Sequence, residues 1–189
     1  MSPIIRTFLY TAVLSVAAWA QTQVPVKANP AEISQRGLAG RRAPSFALPD
    51  LAMKPYDILD YRGGWLLIAY INTSTCPKCP DLLKTLEAIK PHLGAKAAVL
   101  AMVLPPDNTA TVGRFRAENK TTTPILFDSG QTAMWYFKAT PQRPSIDTPH
   151  VFAINPQGMI VRDWNQSQTD AKGFAAEVEA LAAPSAGKQ

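Results

Sequence analysis

The sequence predicts a single α/β domain, a mixed central β-sheet flanked by helices, behind an N-terminal extension. Three observations carry this. Two apolar runs, 65–71 (WLLIAYI) and 97–104 (AAVLAMVL), show no polar alternation, the pattern of strands buried on both faces of a sheet. Segments with apolar residues at helical spacing alternate with them. A strand–turn–strand pattern and one more helix then end the chain.

Along the chain, Arg6 is the lone charge ahead of an apolar segment at 8–18, and Ala18-Trp19-Ala20 supplies the small-x-small pattern that signal peptidase reads. That segment falls short of the roughly 20 residues of a bilayer span. Residues 1–20 are therefore expected to be a signal peptide, with an uncleaved N-terminal membrane anchor as the alternative. Either puts the globular part outside the cytoplasm, periplasmic or secreted, where disulfides persist. Residues 21–42 lack periodicity and read as a linker or flexible N-terminal arm. The domain is expected over 43–183, with 184–189 a flexible tail.

Within the domain, 44–50 and 56–59 read as short extended segments, and Arg62-Gly63-Gly64 turns the chain into the first buried strand. Leu82, Leu83, Leu86 and Ile89 share a helical stripe that ends near Pro91. After the second buried strand, Pro105-Pro106-Asp107-Asn108 forms a turn, and Asn108 or Thr109 caps a helix to about Asn119. Residues 125–127 make a third strand, followed by a helix over 131–137. Residues 151–154 and 159–161 flank Asn155-Pro156-Gln157-Gly158 as an antiparallel hairpin. Phe174, Val178 and Leu181 mark a closing helix after a Thr169 cap. The chain has no internal repeat.

The net charge is +5, yet the basic residues are scattered and their longest run is Arg41-Arg42. A nucleic-acid binder concentrates them on a face or stripe, so no nucleic-acid partner is expected.

The chemistry lies in Cys76-Pro77-Lys78-Cys79, which holds both cysteines of the 189-residue chain. Two thiols separated by two residues at a strand-to-helix junction can open and close one disulfide. Helix N-termini favour anions, and Pro77 suits a first helical position. Cys76 at the helix start is thus expected to have a stabilised thiolate and to be the attacking sulfur, with Cys79 one turn on to resolve a mixed disulfide. Lys78 adds a nearby positive charge. A purely structural disulfide would close too small a loop to constrain much unfolded chain. A metal site would draw on His92 and His150, the only histidines. Redox, metal-handling and inert roles all stay open on these residues alone.

From Ala43-Pro44-Ser45-Phe46-Ala47-Leu48, Asp60-Tyr61-Arg62-Gly63-Gly64-Trp65, the CPKC turn and Pro149 before VFAINPQGMIV, the chain resembles the thioredoxin-like superfamily, in particular secreted TlpA/ResA-type thiol-disulfide oxidoreductases and their redoxin (AhpC/TSA) relatives, over about 43–182. The resemblance implies a thioredoxin-like sandwich whose only cofactor is the redox-active Cys76–Cys79 disulfide. It implies protein thiol or disulfide substrates and a membrane-borne electron donor. It also implies that Pro149 is a cis-proline beside the cysteines, with Thr148 pairing with the extended substrate. Many relatives carry Trp where this chain has Thr75, and relatives serving cytochrome c maturation place an acid where it has His150. Thr73-Ser74-Thr75-Cys76 also matches the Thr-x-x-Cys of peroxiredoxins, though that motif's proline is replaced by Ala69. Thr73, Thr75, Lys78 and His150 are therefore possible modulators. A thiol-dependent peroxidase and a copper- or haem-delivery protein are the alternative functions.

Overall fold

The computed structural model describes residues 37–142, 146–170 and 172–182. The expected signal peptide, residues 21–36 of the expected arm and the tail at 184–189 lie outside the described residues.

A six-stranded mixed sheet runs β1 (Arg41–Arg42), β8 (Met159–Trp164), β7 (His150–Ile154), β4 (Leu66–Tyr70), β5 (Ala98–Val103) and β6 (Ile125–Phe127). A separate two-stranded ribbon joins β2 (Ala47–Pro49) to β3 (Pro55–Asp57). The helices are α1 (Cys79–Ile89), α2 (Thr109–Asn119), α3 (Gln131–Phe137), α4 (Gln166–Thr169) and α5 (Phe174–Ala180). Strands β4, β5 and β6 are mutually parallel, while β7 lies antiparallel to β4 and β8 antiparallel to β7.

The unalternating run in β4 is buried throughout because both its faces carry core. Leu67 and Ala69 face one side with Leu83 and Leu86 of α1, Val112 and Phe115 of α2, and Val178 of α5. Leu66, Ile68 and Tyr70 face the other with Ala133, Tyr136 and Phe137 of α3 and with Leu38 and Phe46. The turn into β4 needs its second glycine, since a Cβ on Gly64 would run into the Lys96 carbonyl.

The structure corrects four boundary expectations. Residues 37–42 are not a loose arm: Leu38 is fully buried, Gly40 N–H bonds the Ile160 carbonyl, and Arg41 pairs with Ile160 in the sheet. A two-residue edge strand is too short to show periodicity. Ile58 and Leu59 open a 3-10 turn, where Asp57 accepts the Leu59 N–H, rather than extending a strand. Thr169 ends α4 instead of capping the last helix; Asn165 caps α4 with a reciprocal bond to Gln168, and α5 starts at Phe174 after Gly173. Helix α1 begins at Cys79, not Cys76.

Glu87 ties α1 to the loop before β6. Its Oε1 accepts from Thr121 Oγ1 at 2.9 Å, Thr122 N at 3.2 Å, Thr123 N at 2.8 Å and Thr123 Oγ1 at 2.6 Å. Partial burial pushes its carboxyl pKa up, but the threonine bonds outweigh that and leave it below the ordinary 4.5. A lowered folded-state carboxyl pKa contributes stability that is fully present above 4.5 and lost as pH falls through the lower folded value. Urea melts between pH 6 and pH 2 should therefore show an acid limb in the parent that is shallower in Glu87→Gln.

Candidate active site

Strand β4 delivers the chain to the site. Beyond it, Asn72 Oδ1 accepts the N–H groups of Ser74 at 2.9 Å and Thr75 at 2.7 Å, so residues 72–75 form an Asx-type turn. A second turn follows at once: Cys79 N–H bonds the Cys76 carbonyl at 3.3 Å. Only then does α1 begin, with Lys78 as N-cap and Pro80 in the first turn, where a missing N–H costs no helical bond.

Cys76 and Cys79 are joined by a disulfide, with S–S 2.03 Å and Cα–Cα 5.4 Å. Cys76 therefore precedes the helix instead of starting it, and Pro77 lies in the turn. Its sulfur nevertheless reaches the helix start through its bond to Cys79. The two sulfurs differ in access: Cys79 is fully buried among Leu67, Ala69 and Leu83, whereas Cys76 is half-buried at the margin of that core.

Asp107, in the loop between β5 and α2, holds the segment before the cysteines. Its Oδ2 accepts the Thr73 N–H at 2.8 Å, and its Oδ1 accepts from the Thr73 hydroxyl, Ser74 Oγ at 3.4 Å and Thr111 Oγ1 at 3.1 Å. The Thr73 hydroxyl is thus committed to Asp107. Thr75 is exposed. Lys78 is exposed but not merely solvated: its Nζ bonds Asp170 Oδ2 at 2.6 Å, linking the CPKC turn to the end of α4.

Because β4 and β7 are antiparallel with Tyr70 opposite His150, the chain leaving β4 toward Cys76 and the chain entering β7 from Pro149 share one sheet edge. The Thr148–Pro149 peptide is cis, with Pro149 buried and Thr148 half-buried. Beside them opens a cleft of about 640 Å3, bordered by Ile146, Asp147 and Thr148 on one side and by Asn165, Gln166 and Asp170 on the other. Asp170 thus lines the cleft together with Thr148 while its carboxylate holds Lys78 of the CPKC turn.

His150 is brought to this edge but not to the thiols. Its ring lies against Phe137 and Phe152, at centroid distances of 4.9 and 4.7 Å, on the sheet face opposite Cys79. His92, the other histidine, has its Nδ1 2.6 Å from Glu179 on the surface. Neither imidazole stands with the cysteines as a joint ligand set.

Sequence reading missed Asp107 and Asp170. Asp107 sits in a Pro-Pro-Asp-Asn string whose turn character was legible, but whose acceptor role depends on the neighbouring β4 and β5 loops meeting. Asp170 lies 92 residues from Lys78, and nothing local announces it.

The sheet order, the flanking helices and the disulfide at the strand–helix turn define a thioredoxin-like α/β protein. Residues 39–163 match the AhpC/TSA family model, and the chain belongs to that family. No curated protein sequence matches it. Among solved structures it is similar to the thioredoxin domain of a thiol-disulfide oxidoreductase from Bacteroides vulgatus, at 18% identity and TM-score 0.58, covering 76% of this chain and 97% of that one. A secreted disulfide oxidoreductase of Mycobacterium tuberculosis superposes with TM-score 0.56 at 14% identity, covering 73% and 94%. The bacterioferritin comigratory protein of Xanthomonas campestris, studied for alkyl peroxide reduction, does so with TM-score 0.55 at 19% identity, covering 72% and 89%.

Replacing Asp107 by Ala strands the Thr73 N–H and hydroxyl. The expected cost is about 1–3 kcal/mol, read as a lower urea midpoint together with faster amide exchange at Thr73.

Proposed function

We propose that the protein is an extracytoplasmic thiol-disulfide oxidoreductase acting on protein substrates. The observation that carries this reading is the unequal burial of the pair, with Cys76 half-buried at the margin of the core and Cys79 inside it, at the sheet edge shared with the Thr148–Pro149 ledge. In the reducing direction the Cys76 thiolate attacks one sulfur of a substrate disulfide and expels the other as a thiolate, which takes up a proton. Cys79, deprotonated, then attacks Cys76 Sγ in the mixed disulfide. The substrate leaves with both thiols, and the two electrons have passed from the Cys76–Cys79 dithiol, now a disulfide. The buried position of Cys79 favours attack on Cys76 over attack by outside thiols. The half-buried Thr148 offers backbone to an extended substrate segment in the manner of an added strand.

Regeneration of the dithiol needs a reductant, for which a membrane-borne dithiol donor is the fitting class in a compartment without a glutathione buffer. Support for that compartment comes from the leader pattern at 1–20 and the secreted M. tuberculosis neighbour. The X. campestris neighbour keeps a peroxidase reading alive, but a peroxidatic threonine must serve its cysteine, and Thr73 gives its hydroxyl to Asp107.

Redox titration with thiol alkylation decides direction: a potential below about −200 mV marks a reductase and one near −120 mV an oxidant. Cys76→Ser should abolish insulin reduction, while Cys79→Ser should accumulate mixed disulfides visible on non-reducing gels. Fast Cys76-dependent peroxide turnover without insulin reduction would replace this reading by the peroxidase. Stoichiometric copper or haem binding by the reduced chain, again without insulin reduction, would replace it by delivery.

A further inference from the structure

We infer that the buried His150–Asp163 pair positions the Thr148–Pro149 ledge, an assignment that rests on the thiol-disulfide reading of the site. His150 Nε2 and Asp163 Oδ2 are 2.9 Å apart, and the two residues are 2% and 6% exposed. Around them the sheet face is aromatic, with Phe137 and Tyr136 each in edge contact with Phe152. Asp163 also acts electrostatically on Arg41 of β1. Among the described residues, His150 Nδ1, Asp163 Oδ1 and Arg41 Nε have no hydrogen-bond partner.

Such a pair is a poor way to stabilise a core. Desolvating both groups offsets much of their attraction, and apolar residues of similar volume often do as well or better. Its location suggests another use. The β7–β8 ladder reaches only to Val151 opposite Trp164, so on the β8 side the backbone of His150 lies beyond the paired residues. Pro149 has no N–H to extend that ladder. The imidazole–carboxyl bond ties the first residue of β7 to β8, one residue from Pro149. His150 is held on the β4 side by its pairing with Tyr70, but on the β8 side apolar packing alone would fix neither distance nor direction, and a hydrogen bond fixes both. His150 touches neither the thiols nor the cleft, so both residues act on the reaction through the ledge.

The test uses the full chain and three variants: His150→Leu, the double variant His150→Phe with Asp163→Leu, and Asp163→Asn. Thermal midpoint, reduction potential, and kcat and KM toward an oxidised cyclic peptide are measured for each. His150→Leu strands a buried carboxyl and should lower the midpoint. The apolar double should recover the midpoint, keep the parent's potential and still show KM raised about tenfold, the size of a mid-range coupling between neighbouring residues. Asp163→Asn keeps an oxygen acceptor for the imidazole and should bring KM back near the parent's. A double variant with parental KM makes the pair purely structural and overturns the inference. So does one whose midpoint fails to recover, because the pair is then a folding requirement. A shifted potential would move the effect to the thiols and equally sink it. A parent chain that exchanges disulfides with neither the peptide nor dithiothreitol removes the proposed function itself, on a measurement no variant enters.

Discussion

The antiparallel pairing of β4 with β7 at the centre of the sheet is the constraint on which the site depends. Tyr70 opposite His150 puts the C-terminal end of one strand at the N-terminal start of the other. The chain must leave β4 where it enters β7, so the cysteine turn and the Thr148–Pro149 ledge meet at one edge without a contact designed to bring them there. Parallel pairing of β4 with β5 then requires a crossover, and α1 supplies it with Cys79 as its first residue. The apolar stripe of α1, with Leu83 and Leu86 fully buried in one core cluster with Leu67 and Ala69 of β4, holds that crossover down.

The sheet was legible because its central strands are buried on both faces and therefore advertise themselves as unbroken apolar runs. The 125–127 strand, the 131–137 helix and the Asn108 cap were legible for similar local reasons: each has a turn or capping residue where chain direction changes. Features lacking a local signature were not. Strand β1 is Arg41–Arg42, whose pairing to β8 is a matter of partner and not of composition. A short charged edge of this kind disfavours further strand addition beside it. Helix α4 is four residues long and separates Asn165 from the last helix, a break that periodicity over so short a stretch does not register.

At the site, the cysteine pair was legible from spacing, while its local geometry was not. Pro77 and Pro80 are both acceptable in a first helical turn, and the sequence offers no choice between them. The structure takes Pro80, because the Cys76 carbonyl first closes a turn with the Cys79 N–H. His150 illustrates a second limit. Its chain position beside Pro149 leaves open whether it modulates the thiols or packs in the core, because strand side chains alternate; register with Phe152 puts the ring on the face opposite Cys79. Which face a residue takes is a property of the whole sheet.

Three carboxylates complete the edge, and they divide labour with the core. Asp107 fixes the loop before Cys76, Asp170 holds Lys78 after it, and Asp163 bonds His150 behind the ledge. They come from a loop, a helix end and a strand, and each reaches a segment at or just beyond the end of a strand or helix. Hydrophobic burial drives the sheet and helices together but is non-directional. The disulfide exchange proposed for this edge would instead need reacting sulfurs and substrate backbone held within fractions of an ångström. Directional bonds are useful where the regular ladders end, and their partners are necessarily distant in sequence because the edge gathers loops from across the chain. The residues that shape this edge are therefore the ones that pattern in the sequence conceals, while the residues that create it are the ones that pattern displays.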